Sequence, residues 1–107
     1  MIRGSIWWVE FDPAVGSEIH KTRPAIIVSN DIANQYLNRV VVVPLTSNVS
    51  RVYPGEAIVL VNGVPNKAMS DQIMSADKSR LKNKLGMLSD ADFLSLENAL
   101  KEFLNLK

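Results

Sequence analysis

Two polar segments of the chain carry side chains that could hold a phosphate group together. Arg23 directly precedes Pro24, and a proline restricts the residue before it to extended backbone and suits the first position of a strand. Thr46 and Ser47 follow the apolar run that begins with four valines, Val40–Val43. If the two strands are antiparallel neighbours, Arg23 and Thr46 meet at one rim of the sheet. A guanidinium fork beside a hydroxyl suits a phosphate group.

Each of these segments also has a plainer interpretation. Arg23 could be a surface arginine or a member of a structural ion pair. Thr46, Ser47 and Asn48 could be ordinary turn residues, because Ser, Thr and Asn favour turns. The joint position of Arg23 and Thr46 is therefore the informative feature.

A third polar segment and one loop add further candidates. Asp71 and Gln72 are polar residues beside a strand-like stretch, and they could bind bases, orient Arg23 or belong to a structural hydrogen-bond network. His20 and Lys21 lie in the loop before Arg23. His20 could act as an acid or base, although a single loop histidine is more often simply solvated.

Composition removes several classes of chemistry. The 107 residues include no cysteine, which excludes disulfides, thiolate metal sites and thiol catalysis. The one histidine excludes a two-histidine mechanism within one subunit. Twelve Lys and Arg against eleven Asp and Glu give a net charge of +1, which excludes a nonspecific polycation but leaves a local basic patch open.

Residue patterns predict mainly strands and one clear helix. Trp7, Val9 and Phe11 alternate along the first predicted strand, and Asn62-Gly63 is typical of a hairpin turn. Ser89 and Asp92 have capping-box spacing at the start of an amphipathic C-terminal helix. The predicted strands are 6–11, 24–28, 40–43 (ended by Pro44), 57–61 and 67–73; residues 32–37 form a short helix, and 77–84 form a short helix or irregular turn.

These elements predict one domain, residues 1–107, of mainly β structure. We expect a small, strongly bent antiparallel sheet or barrel, with a short internal helix and a C-terminal helix that covers the apolar face. The elements do not alternate as βαβ units, so a doubly wound sheet is not expected.

The order and spacing of several short motifs resemble the MazF/PemK/Kid family of toxin endoribonucleases, closest to its MazF-like branch. The resemblance extends over nearly the whole chain. The matching segments are Arg3-Gly4-x-Ile6-Trp7, Asp12-Pro13-x-Val15-Gly16-Ser17-Glu18, Lys21-Thr22-Arg23-Pro24, Val28-Ser29-Asn30-Asp31, Pro44-Leu45-Thr46-Ser47, Asp71-Gln72-Ile73, Asp77-Lys78-x-Arg80-Leu81 and Gly86-x-Leu88-Ser89.

The resemblance implies an SH3-like barrel that works as a homodimer, is inhibited by a cognate antitoxin protein and cleaves single-stranded RNA without a metal or other cofactor. It assigns catalysis to Arg23 and Thr46. Positions where Kid-like members carry a catalytic arginine and histidine hold Met69 and Ser17 here, which favours the MazF-type assignment. The expected substrate-binding residues are Glu18, His20, Lys21, Ser47, Asp71 and Gln72.

The predicted reaction leaves a 2′,3′-cyclic phosphate and a free 5′-hydroxyl. Two other functions stay open: a noncatalytic SH3-like module that binds RNA or protein, and a gyrase inhibitor like CcdB. The second is disfavoured because the chain ends Leu104-Asn105-Leu106-Lys107 rather than in Trp-Gly-Ile. No apolar run reaches membrane-spanning length and no signal peptide is evident, so a cytoplasmic location without membrane association is expected.

Overall fold

The run of four valines lies in the central strand of a curled antiparallel sheet. A computed structural model describes all residues, 1–107. The chain forms seven strands and two α-helices, confirming the mainly β prediction. In chain order they are β1 (Ser5–Glu10), β2 (Thr22–Ile27), α1 (Asp31–Tyr36), β3 (Arg39–Thr46), β4 (Glu56–Val61), β5 (Val64–Met69), β6 (Met74–Asp77), β7 (Leu81–Met87) and α2 (Asp90–Leu104).

The sheet curls because β3 has different neighbours along its length. The strand order is β4-β5-β3-β2-β1-β7, and β6 also pairs with β3. Arg39 to Val42 pair with β6, whereas Leu45 and Thr46 pair with β5. β5 and β6 thus follow one another along one edge of β3, and a 3₁₀ turn, Ser70–Gln72, joins them.

Both faces of the sheet are covered by apolar side chains. One cluster, which includes Ile26, Val43 and Leu45, packs beneath α2 around Leu96. The other includes Val9, Ala25 and Val42 and lies on the opposite face. The alternation of Trp7, Val9 and Phe11 is confirmed, because Val9 and Phe11 belong to this second cluster and Trp7 packs against it.

The predicted start of the C-terminal helix and the predicted hairpin turn are both present, although Asp92 has a different contact from the one a capping box gives it. Ser89 accepts a hydrogen bond from the backbone N–H of Asp92 at the start of α2. The Asp92 carboxylate instead accepts from the N–H of Leu60 on β4, at 2.9 Å, so it ties the helix to the sheet edge. Asn62 and Gly63 both have positive φ, +49° and +82°, as a two-residue hairpin turn requires.

Two predictions about strand bounds are wrong. Pro44 does not end β3: it pairs with Ala25, and the strand continues to Thr46. The strand predicted over 67–73 runs instead from Val64 to Met69, and Asp71 and Gln72 lie in the 3₁₀ turn that follows.

Two strands were not predicted, β6 and β7. Within 77–84, a 3₁₀ turn covers only Lys78–Arg80, and the following residues extend as β7 along β1. Neither helix is both long and apolar enough to cross a membrane.

Candidate active site

The pairing of β2 with β3 brings Arg23 and Thr46 to one rim. Ala25 lies opposite Pro44, and Ile26 opposite Val43. The same register, continued by two residues, sets Arg23 across from Thr46. Both residues line one open cavity of about 370 Å³, together with Lys21 and Ser47. The predicted meeting of these two segments is therefore present in the structure.

The Arg23 guanidinium is held from one side and free on the other. Its Nε donates to the His20 carbonyl at 3.0 Å, which fixes the plane of the group. Its two Nη groups make no ion pair, because the ion pairs of the structure are Arg3–Glu97, Lys67–Glu56 and Lys82–Glu10. A half-buried fork with two free N–H-bearing nitrogens is suited to two oxygens of one phosphate.

The Thr46 hydroxyl has its proton available. Its Oγ1 accepts a hydrogen bond from the Asn48 backbone N–H at 3.2 Å, and a hydroxyl that accepts can still donate. Asn48 in turn accepts from Ser50 through its side chain. The start of the β3–β4 loop is therefore folded around Thr46, with the threonine proton free for a ligand.

The loop before Arg23 is closed by its own backbone. The N–H of Phe11 donates to the Lys21 carbonyl at 2.9 Å, and the N–H of Lys21 donates to the Asp12 carboxylate at 3.0 Å. Arg80 holds the same corner by donating to the carbonyls of Glu10 and Asp12. These contacts place Lys21 at the mouth of the cavity.

The electrostatics of the cavity favour an anion. Lys21 and Arg23 line it, and none of the residues that line it is acidic. Lys21 also belongs to none of the three ion pairs. Two unneutralised cations at a concave surface attract phosphate groups.

The structure places three of the predicted residues elsewhere. Glu18, Asp71 and Gln72 line a separate cavity of about 340 Å³. Gln72 accepts a hydrogen bond from the N–H of Ile19 at 3.2 Å, and Glu18 accepts from the N–H of Val15 at 2.7 Å. Gln72 thus fits the structural alternative, and Asp71 and Gln72 do not orient Arg23.

His20 contributes through its backbone rather than its ring. The residue is exposed, its carbonyl accepts from Arg23, and its side chain lines neither cavity. No group of three or more His, Cys, Asp or Glu residues is arranged to hold a metal ion.

The cavity residues that the sequence analysis did not assign to the site include Trp8 and Asn66. For Trp8 a signal existed: if Trp7, Val9 and Phe11 face one side of β1, then Trp8 faces the other. Asn66 carried no comparable signal, because a single asparagine in a short strand is unremarkable by type and spacing.

A known protein family matches almost the whole chain. The sequence profile of the family described as PemK-like, MazF-like toxins of type II toxin-antitoxin systems matches residues 2–104. The chain belongs to this family.

Individual relatives agree with that assignment. The chain is 42% identical over 115 aligned residues to endoribonuclease MazF9 of Mycobacterium tuberculosis, covering 99% of this chain and 98% of the relative. It is 29% identical to endoribonuclease MazF of Staphylococcus epidermidis over 97% of this chain and 91% of that protein.

Solved structures share the fold. MazF of Deinococcus radiodurans superimposes with a TM-score of 0.87 at 25% identity, covering 99% of this chain and 97% of that one. An endoribonuclease from a mycobacterial species, solved in complex with its cognate antitoxin, gives a TM-score of 0.85 at 24% identity over 100% and 97% of the two chains.

Proposed function

We propose that this protein is the toxin of a type II toxin-antitoxin pair and that it cleaves single-stranded RNA, including mRNA, at specific short sequences, which inhibits translation and growth. The observation that carries the proposal is the shared cavity of Arg23 and Thr46, in a chain 42% identical to a protein named as an endoribonuclease. The proposed catalytic residues are Arg23 and Thr46, and the proposed domain is the single unit 1–107.

RNA supplies its own nucleophile in this reaction. The 2′-hydroxyl loses its proton and attacks the adjacent phosphorus, the bond from phosphorus to the 5′-oxygen breaks, and that oxygen gains a proton. The products are a 2′,3′-cyclic phosphate and a 5′-hydroxyl. The enzyme has to hold the attacking and leaving oxygens in line and stabilise charge on the phosphate, which positioning and electrostatics supply.

In this proposal Arg23 and Thr46 have different roles. The two free Nη groups of Arg23 donate to the nonbridging oxygens, while its Nε stays on the His20 carbonyl. Arginine remains protonated, so it is a clamp and not a base. The free proton of Thr46 donates to the phosphate or holds the 2′-hydroxyl. No step of this scheme requires a metal ion.

Around this site we place substrate contacts at two distances. Lys21 and Ser47 share the cavity and would contact the backbone of the scissile nucleotide. Glu18, Asp71 and Gln72 line the neighbouring cavity and would contact RNA further along the strand, whereas the exposed ring of His20 would reach it only from the rim.

The proposal includes the assembly. We propose a cytoplasmic homodimer that is inhibited by a cognate antitoxin protein, since a solved relative is described as an endoribonuclease in complex with its antitoxin. Light scattering of the purified toxin measures whether it is a dimer. The same measurement with the antitoxin added shows whether the two proteins form a complex.

The test is incubation of purified protein with single-stranded RNA in EDTA, followed by sequencing of the new 5′ ends and chemical analysis of the 3′ ends. We expect cleavage at a defined sequence with cyclic phosphate ends. Arg23→Ala and Thr46→Ala should abolish it, Thr46→Ser should retain it, and Arg39→Ala serves as control, because Arg39 is exposed at the opposite end of β3.

Three results would contradict the proposal. Full activity of Arg23→Ala and Thr46→Ala would remove the catalytic assignment. Binding of RNA without cleavage would favour the noncatalytic module. Inhibition of DNA gyrase without RNA cleavage would favour a CcdB-like toxin.

A further inference from the structure

The two adjacent tryptophans have different surroundings. Trp7 donates its indole N–H to the Ser5 hydroxyl at 2.9 Å and packs against the second apolar cluster. Trp8 is 36% exposed and lines the cavity that holds Arg23 and Thr46. Folding therefore accounts for Trp7 and leaves part of the Trp8 ring open to a ligand.

Asn66 is a second side chain that the cavity leaves incompletely paired. It is 7% exposed, and its one side-chain hydrogen bond goes from Nδ2 to the Val64 carbonyl, at 3.2 Å. Ser70 Oγ is the one side-chain polar atom that is both fully enclosed and without a hydrogen-bond partner. The Asn66 amide oxygen also accepts no hydrogen bond, so it must retain some exposed surface. Asn66 is also one of the residues that line the cavity.

We propose that Trp8 and Asn66 form a subsite for a nucleobase next to the phosphate site, with Trp8 stacking on the base and Asn66 reading its edge. The proposal rests on the proposed RNA cleavage. Aromatic rings and amide side chains are the groups that recognise unstacked bases of single-stranded RNA.

The strand registers set the spacing. Arg23 is the β1 partner of Val9, so Trp8 lies one residue from the position that faces Arg23. Thr46 is the β5 partner of Lys67, so Asn66 lies one residue from the position that faces Thr46. Because side chains alternate along a strand, Trp8 and Asn66 leave the sheet on the face opposite to Arg23 and Thr46, so the base would lie across the rim of the sheet from the phosphate.

The first experiment separates stacking from a structural effect of Trp8. Cleavage kinetics are measured on the preferred RNA sequence and on versions that carry an abasic ribose at each position beside the cut bond. Loss of one stacked base costs about 5- to 160-fold in binding. We expect that loss in wild type at one abasic position, mainly in KM, and a similar loss for Trp8→Ala on intact RNA.

Measuring Trp8→Ala on the abasic RNA tests the stacking assignment. Trp8→Ala should lose nothing further on the abasic RNA, because both changes remove the same contact. Trp8→Phe should keep most of the activity, and Tyr36→Ala, which removes an exposed aromatic on α1, should resemble wild type. The stacking role would be overturned if the losses from Trp8→Ala and from the abasic position multiplied, or if Trp8→Ala left KM unchanged.

The second experiment tests base reading by Asn66. A random RNA library is cleaved by wild type and by Asn66→Ser, and the base frequencies around the cut are compared. We expect the preference at one position to fall at least about fivefold, with the other positions unchanged. An identical preference, with thermal unfolding showing a folded variant, would overturn the reading role.

A third measurement tests base binding at Trp8 even if the protein does not cleave RNA. If wild type cleaves no RNA, the proposed function fails, and single-stranded RNA is then titrated against tryptophan fluorescence. Quenching in wild type but not in Trp8→Phe, which retains only Trp7, would support a base on Trp8. Equal behaviour of the two proteins would overturn it.

Discussion

Replacing Lys67 tests whether the loop after Thr46 is held to the sheet by a mostly buried ion pair. Lys67 pairs with Thr46 in the β3–β5 register. Its Nζ lies 3.5 Å from a Glu56 carboxylate oxygen and donates to the Arg51 carbonyl at 3.1 Å. The other Glu56 oxygen accepts from the Tyr53 N–H at 2.8 Å. The pair therefore fixes the returning end of the loop.

The magnitude follows from burial. Breaking a fully buried ion pair by removing one partner costs about 3–5 kcal/mol. The Lys67 and Glu56 side chains are 13% and 12% exposed, so some water reaches the pair, and we expect about 2–3 kcal/mol for Lys67→Met. Glu56→Gln keeps an acceptor for Tyr53 and should cost about 1–2 kcal/mol.

The double variant of Lys67 and Glu56 gives the coupling free energy between the two charges. Removing both charges leaves no buried ion without a partner, so the double variant should be no less stable than Lys67→Met alone. The coupling free energy should then be at least about 1 kcal/mol. The control is Lys82→Met, whose partner Glu10 lies 3.4 Å away but whose pair is nearly half exposed, at 49% and 47%. That change should cost less than about 1 kcal/mol.

The assay is urea unfolding followed by tryptophan fluorescence, at one protein concentration because an oligomer's stability depends on it. Equal m-values among the variants allow the midpoints to be compared as free energies. Additive losses for Lys67→Met and Glu56→Gln, or a control as costly as Lys67→Met, would refute the ion-pair argument.

Three further predictions follow from other contacts. Leu96→Ala should lower the free energy of unfolding by about 2–5 kcal/mol, because Leu96 is fully buried between α2 and the sheet; a loss below about 1 kcal/mol in urea unfolding would contradict this packing. Ser89→Ala should cost about 1 kcal/mol by removing the cap on the Asp92 N–H, and Ser89→Asp should restore stability; equal stability of all three proteins would contradict the cap. Arg23→Lys should lower kcat for RNA cleavage by about 10²–10³-fold, because lysine keeps the charge but lacks the planar fork that lets arginine bond one phosphate through two nitrogens while a third stays on the His20 carbonyl; wild-type kcat would show that charge alone suffices.

Local sequence signals predicted the central strands and the last helix. The four valines give β3 an apolar character that does not depend on its neighbours, and Ser89 with Asp92 marks the start of α2. β7 lacks such a signal, since Lys82, Asn83 and Lys84 are consecutive exposed polar residues. They are extended because β1 pairs with them, in a register with two irregularities, and that pairing is a tertiary effect.

The candidate site likewise has a part that the sequence predicted and a part that it did not. The rim shared by Arg23 and Thr46 was predictable, because antiparallel neighbours set the start of one strand beside the end of the other. The separate position of Asp71 and Gln72 was not, since it depends on β5 ending at Met69 and on the contact from Ile19 to Gln72. That contact joins residues 53 positions apart, and neither segment indicates it alone.

The Arg23–Thr46 rim and the loops around it are stabilised by different contacts, and this difference has a functional consequence. The Arg23–Thr46 rim extends a register whose next residues, Ala25 and Val43 among them, are fully buried, so a shift of that rim would disturb both apolar clusters. The loops 12–21 and 47–55 carry mainly exposed residues and are held by hydrogen bonds and one ion pair. Apart from Lys21 and Ser47, which line the cavity, and Asn48, which bonds to Thr46, substitutions in these loops therefore leave the phosphate geometry in place while they change the surface that meets the rest of the RNA. The expected result is that changes there alter which sequence is cut before they alter how the bond is cut.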